Sequence, residues 1–587
     1  MMKRFWIIVC GSFVGVWLAS IILSVISIIF SLFFIGSITT ISSSVKSVDK
    51  NSVLLIDLGI TVSERDGSTD PLNPLSVNKP SSTGLTTIIK GIQAAADNYN
   101  VTAICLECNG ISAGCASLKE IRDALTDFKA SGKRIYAYGD NISQSDYYLA
   151  SVADSIFLDP TGAVDIHGLA SSSPFFKGLL DKLGIEMQVI RVGTFKSAVE
   201  PYILSQMSQA NRLQREHYMA NMWSDISQSI AEGRDLTKER IHALADSLTF
   251  AKDGEWMIFS GLVDDLCYRH QMTDRLRRIT KVDSTDDPRT VGLADVIAAA
   301  PKKSSHDDRI AIIFAEGEID GSDDNDIHSE KLCEQIVKLA RDKDVKGLVL
   351  RVNSPGGSAQ GSEIIWSALE EFKREGKPFA VSMGDYAASG GYYISCGADR
   401  IFAEPTTITG SIGIFAMVPC FENFSKDKLG INWDIVATNE SSAVTTTKRL
   451  SDFQKAQLQK RINSGYELFT SRCAIGRDID IDSIKVIAEG RVWDGTSALE
   501  LGLIDQYGNL ESAIEWVALQ AELTNYSIDS YPVPEDKLLR YISRYTDTKI
   551  EQKLKENTGD LYQYHDFIRR LMNRDQILCI MEPVEIQ

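Results

Sequence analysis

Ser389 lies in AASGGYY and is followed at once by Gly390 and Gly391. A serine at a strand-to-helix junction is exposed at the positive end of a helix dipole, as an acyl-transfer nucleophile must be, although G-x-S-x-G itself is absent. The competing use of such a serine is an ordinary helix cap. VNSPGGS, from Val352 to Ser358, sets Gly356 and Gly357 directly after an apolar run. Paired glycines there let backbone N–H groups approach a ligand closely, as an oxyanion hole requires. Lys196 lies in RVGTFKSAVEPY, between the apolar MQVI and a Ser-Ala pair, with no acidic neighbour in that motif before Glu200. Burial of this amine would lower its pKa toward the range of a general base.

The seven His are 167, 217, 242, 270, 306, 328 and 565, and none stands in a glycine-framed motif. His167, in DIHGLA, reads as a loop histidine. A Ser-Lys dyad is therefore better supported than a Ser-His-Asp triad. No His/Cys/carboxylate cluster has ligand spacing, so neither metal nor cofactor is expected.

The elements that must position these groups come in two copies. GDNISQSDYYLASVADSIFLDPTG from Gly139 runs beside GDYAASGGYYISCGADRIFAEPTT from Gly384, and Tyr147 meets Tyr392 at an offset of 245. Asn109 pairs with Asn353, Asp181 of DKLGI with Asp427, and Gly261 of SGLVDD with Gly502 of LGLIDQ. Each half opens with an apolar strand (SVLLIDL; RIAIIFA), then a helix, a second strand (AICLEC; GLVLRV) and an amphipathic helix such as GSEIIWSALEEFKREG. A third strand, RIYAYG or PFAVSMG, is predicted to run into a helix beginning near the GD dipeptide. Strands alternating with helices predict an α/β fold. Residues 280–308 read as a polar connector, residues 64–86 as a mobile loop, and the stretch from about 536 as a charged helical tail.

Each copy is a control for the other. Gly356 and Gly357 stand where Ser112 and Ala113 stand, and Ser389 where Gln144 stands. Lys196 stands where the other half has Ser441 and Ser442 and no lysine. Serine and glycines thus belong to the second half and the lysine to the first.

The chain of 587 residues carries 61 Lys+Arg against 79 Asp+Glu, a net charge of −18, which excludes nucleic acid as the main partner. Ten Cys in this length are not a disulfide framework. Cys105 and Cys108, three apart in one strand, point to opposite faces and read as buried thiols. From Phe5 to Val45 no residue is charged, a run far longer than the roughly 20 residues a bilayer needs. It reads as an uncleaved anchor, with Lys3 and Arg4 placing the N-terminus inside and the body outside.

Together GTFKSAVEPY in the first half and VNSPGG, GDYAASGGYY and TGSIG in the second make the chain resemble the signal peptide peptidase A (protease IV) family, in its long two-repeat bacterial form. The resemblance implies two tandem ClpP/crotonase-like domains of ββα spiral type behind an N-terminal transmembrane helix. The boundaries are 1–46 for the anchor, 47–297 for the first repeat, 298–535 for the second and 536–587 for the tail. It implies Ser389 as nucleophile, Lys196 as base, Ser411 of TGSIG (first-half counterpart Ile166) as the group orienting the lysine, and amides at Gly356 or Gly357 and at Gly390 as the oxyanion hole. It further implies a homotetramer on the outer face of the inner membrane that degrades remnant signal peptides. A catalytically silent scaffold of the same fold and a CoA-thioester enzyme are the competing readings.

Overall fold

The computed structural model describes residues 47–66, 82–301, 305–323, 326–442, 444–532 and 577–581. The anchor, most of the 64–86 stretch and most of the tail lie outside the described residues. No helix among those described is long and apolar enough to cross a membrane.

Each half builds one largely parallel sheet. In the first, the order is Asp265–Leu266, Ser155–Leu158, Arg134–Gly139, Val101–Glu107, Ser52–Asp57, Thr290–Val291, all parallel. In the second, Arg309–Glu316, Val345–Ser354 and Phe379–Ala388 repeat the central strands, with Ser527–Tyr531 at one edge. These strands are continuous apolar runs because helices cover both faces. Val349 and Leu350 of GLVLRV, on opposite faces, are both fully buried. Ala359–Arg374 buries Ile365, Ala368, Leu369 and Phe372 at helical spacing, and Ser358 caps its start by accepting from the Gly361 amide.

The duplication extends to single hydrogen bonds. Tyr147 donates to the Leu262 carbonyl as Tyr392 does to Leu503, and Lys133 and Lys377 each collect three carbonyls at a helix end. Cys105 and Cys108 do point to opposite faces, each into a separate apolar cluster, and burial pushes the Cys105 thiol up to about 12.

Three elements differ from the sequence reading. The strand Phe379–Ala388 does not stop at Gly384–Asp385. It changes neighbours, pairing first with Arg400–Ala403 and then, from Tyr386, with Ile408–Gly410, so the helix starts only at Gly390. The 280–308 connector is partly structured: Thr290–Val291 joins the first sheet and Leu293–Ala299 is a helix. Glu64, assigned to a mobile loop, is 2% exposed and bonds Arg351 Nε at 2.8 Å.

Arg351 ties the halves together. Its guanidinium also meets Glu120 at 2.7 Å and Ser382 at 2.9 Å, with all three charged side chains buried. Burial holds Glu120 up at about 8 against the pull of Arg351. A strand of each half also joins one sheet, since Glu186–Arg191 of the first pairs antiparallel with Phe415–Cys420 of the second.

Candidate active site

That cross-half strand pair delivers the lysine. Beyond Arg191 the chain turns at Gly193, whose φ of +100° and whose absent side chain let the Glu489 carbonyl lie 2.3 Å from where a Cβ would stand. The Phe195 amide donates to that carbonyl at 3.0 Å. Gly490, at φ +77°, admits the Lys196 backbone and Cβ, because a Cβ of its own would lie 2.6 Å from that atom. Glu200 secures the far side, accepting from the Ser208 amide and from Asn211 Nδ2.

Ser389 is held by the opposite half. Its amide donates to the Gly410 carbonyl at 2.8 Å, and its φ of +57° is a conformation that a serine rarely adopts. The hydroxyl makes no cap bond to the helix Gly390–Ser395. The cap alternative is thereby excluded. Lys196 Nζ lies 2.7 Å from Ser389 Oγ, 3.1 Å from Ser411 Oγ and 3.0 Å from the Ser411 carbonyl. Lys196 is 1% exposed, and burial pushes its ammonium down to about 8, with Cys579 a smaller opposing influence. A neutral amine at hydrogen-bond distance from a serine hydroxyl can take its proton.

Gly356 and Gly390 lie against each other. A Cβ on Gly356 would stand 2.7 Å from the Gly390 nitrogen, and Gly356 takes a φ of +106°. Gly357 turns its Cα toward Ile319, whose carbonyl would lie 2.2 Å from a Cβ there. Both glycines belong to a short strand, Gly356–Ser358.

The first half lacks this machinery in a specific way. The Asp146 carboxylate accepts from the Gly110 and Ile111 amides at 2.9 and 3.0 Å, filling the turn that corresponds to the PGG turn. Gln144, in the place of Ser389, bonds the His167 and Gly168 amides and the Gly168 carbonyl. The His167 imidazole lies 4.0 Å from the Asp165 carboxylate, in the half that lacks Ser389. Among the described residues no group of His, Cys, Asp and Glu could hold a metal ion.

Two features escaped the sequence reading. Glu489–Arg491 shapes the lysine's seat, and Ser411 donates its amide to the Arg491 carbonyl at 2.6 Å. Ser389, expected to be exposed, is fully buried because Ile577–Ile580 lies across it, with Cys579 Sγ 3.0 Å from its Oγ. An apolar ILCIM run closing a charged stretch was the available signal.

Residues 127–283 and 371–524 match the family described as Peptidase family S49, and residues 302–408 match Clp protease, in keeping with tandem ClpP-like domains. A protein named Protease 4 from Haemophilus influenzae is 34% identical over 532 residues, covering 87% of this chain and 85% of that protein. Protease 4 from Salmonella typhi is 33% identical over 553 residues, covering 90% and 89%. A plant relative, Serine protease SPPA, chloroplastic, of Arabidopsis thaliana, is 29% identical over 437 residues, covering 72% and 63%. The chain therefore belongs to peptidase family S49, and it is a serine peptidase.

Proposed function

We propose that the protein is a membrane-anchored endopeptidase with a Ser389–Lys196 dyad that degrades signal peptides already cut from their precursors, together with other apolar peptides. The observation that carries this reading is the 2.7 Å approach of a buried lysine amine to a buried serine hydroxyl, one from each half. Neutral Lys196 takes the Ser389 proton as Oγ adds to the scissile carbonyl, and Ser411 orients the amine. Amides of the PGG turn and of Gly390 hold the developing oxyanion, a contribution of about 10²–10³ in rate per donor. Lys196 then protonates the leaving amine, and water cleaves the acyl-enzyme by the same route. No step needs a metal or cofactor.

The uncharged run Phe5–Val45 supports an inner-membrane anchor with an inside N-terminus and a periplasmic body, which suits substrates that start in the bilayer. A homotetramer is supported by the repeat itself. Within one chain Glu186–Arg191 pairs with Phe415–Cys420, whereas the repeat counterparts, near 432–437 and 169–174, form no strand. Trp433 and Val436 there are 48% and 98% exposed. Head-to-tail pairing of those two stretches between copies would repeat the internal contact and close a ring.

The test is hydrolysis of an apolar fluorogenic peptide by purified wild type, Ser389→Ala and Lys196→Met. A loss of about 10³-fold or more in each variant is expected. Retained turnover in folded Lys196→Met would remove the dyad.

A further inference from the structure

Ser389 follows a strand that changes neighbours, and side chains pin the strand where it does so. Thr407 Oγ1 donates to the Gly384 carbonyl at 2.8 Å, and the Tyr386 amide donates to Asn353 Oδ1 at 3.1 Å. Thr407 and Asn353 belong to the same half as the strand. A further tie crosses to the first half: the Asp385 carboxylate accepts from the Ser117 amide at 3.0 Å and from Ser117 Oγ at 2.7 Å. Ser117 lies in the first turn of the helix Cys115–Ala130. Asp385 thus caps a helix 268 positions away in the chain.

The duplication shows why the cap comes from the other half. By the spacing that pairs Asn109 with Asn353, Gly114 corresponds to Ser358 and Ser117 to Gly361. In the second half the Gly361 amide donates to Ser358 Oγ at 3.0 Å, a cap made locally. Gly114 has no side chain to offer, and a Cβ there would stand 2.1 Å from Asp385 Cγ. The carboxylate fills the place that a local cap would need. Asp140, the first-half counterpart of Asp385, instead accepts from the Tyr138 hydroxyl of its own strand at 2.9 Å, and its side chain is 64% exposed.

The tie lies on the path to the nucleophile. From Asp385 the chain reaches Ser389 in roughly 13 Å of extended backbone. Along it, Tyr386–Ala388 pairs with Ile408–Gly410, and Ser411, next after Gly410, bonds Lys196. Tyr386 and Ala388 also pack with Cys115 of the capped helix. We infer that Asp385 is a positioning residue: by capping the first-half helix it clamps the strand end that carries Ser389 to the half that supplies Lys196. A carboxylate suits the task, because it meets the positive end of the helix as well as two donors. This inference rests on the dyad reading and adds the residue that sets its alignment.

Steady-state kinetics on an apolar fluorogenic peptide from pH 6 to 9.5, with urea melts, tests it in wild type, Asp385→Ala, Gly114→Ala, the double variant Asp385→Ala/Gly114→Ser, and Lys196→Met. Asp385→Ala should lose at least about tenfold in kcat with KM within about twofold, since a misplacement of about 1 Å costs up to about 10²-fold. Its pH limb should move above 8 as water reaches the Lys196 amine. Gly114→Ala, which displaces the carboxylate without altering the second half, should show the same split. The double variant gives the helix a cap of its own, as Ser358 does in the other half; it should recover the urea midpoint and leave kcat low. Recovery of both would make Asp385 a helix cap only and overturn the inference. A kcat within about twofold of wild type in Asp385→Ala or Gly114→Ala would overturn it as well. Turnover retained by folded Lys196→Met would overturn the dyad reading itself, and the inference with it.

Discussion

Lowering the pH should switch the enzyme off through Lys196 alone. With its pKa brought from 10.5 to about 8 by burial, the lysine is about one-quarter neutral at pH 7.5. An unperturbed lysine would be neutral in only about one molecule in a thousand. Burial thus raises the competent fraction about 200-fold, worth about 3 kcal/mol. From pH 9 to pH 6 the neutral fraction falls about a hundredfold, so kcat/KM should fall with it, along a single limb centred near 8. The same displacement weakens the fold. A lysine whose pKa is depressed on folding destabilises the native state fully below about 8, and the penalty vanishes above 10.5. Lys196→Met should therefore be more stable than wild type at pH 7, by about 1–3 kcal/mol once its lost bonds to Ser389 and Ser411 are subtracted, and lose that advantage near pH 10.5. The assays are kcat/KM on an apolar fluorogenic peptide from pH 5.5 to 9.5 and urea melts of both proteins. A limb centred at 6 to 6.5, as a histidine base would give, or a variant less stable than wild type at pH 7 would refute the reasoning.

Gly356→Ala should reduce peptide turnover by about 10²–10³, because the new Cβ would crowd the Gly390 amide at 2.7 Å in a backbone conformation of φ +106°; steady-state kinetics on the folded variant checks it. Arg351→Ala should lower stability by about 3–5 kcal/mol, since Glu64 and Glu120 would remain buried without their cation, as thermal or urea melting would register. If the proposed head-to-tail pairing holds, Trp433→Asp should reduce the mass of the detergent-solubilised protein in light scattering, while leaving the fold intact by circular dichroism.

The approach of Ser389 to Lys196 was legible because its signals are local and asymmetric. Ser389, Gly356 and Lys196 each sit in a short motif that the other repeat lacks, and Asp146 and Gln144 show physically what that lack means. The repeat also made the two parallel sheets readable, as both are built from continuous apolar runs between amphipathic helices. What escaped depends on contacts between distant segments. Nothing local tells that Phe379–Ala388 changes neighbours at Gly384–Asp385, or that Glu64, next to two strand residues, is recruited as a partner by an arginine 287 positions away. Cys579 is the extreme case: its run is short, apolar and unremarkable in composition, and its meaning comes entirely from the strands on either side.

The most direct measurement is labelling of purified, detergent-solubilised protein with a fluorophosphonate probe, the modified peptide being mapped by mass spectrometry in wild type, Ser389→Ala and Lys196→Ala. The account predicts one label, on Ser389, absent from both variants. Labelling of Ser389 that persists undiminished in Lys196→Ala would contradict it, because the hydroxyl would then be activated by some other base.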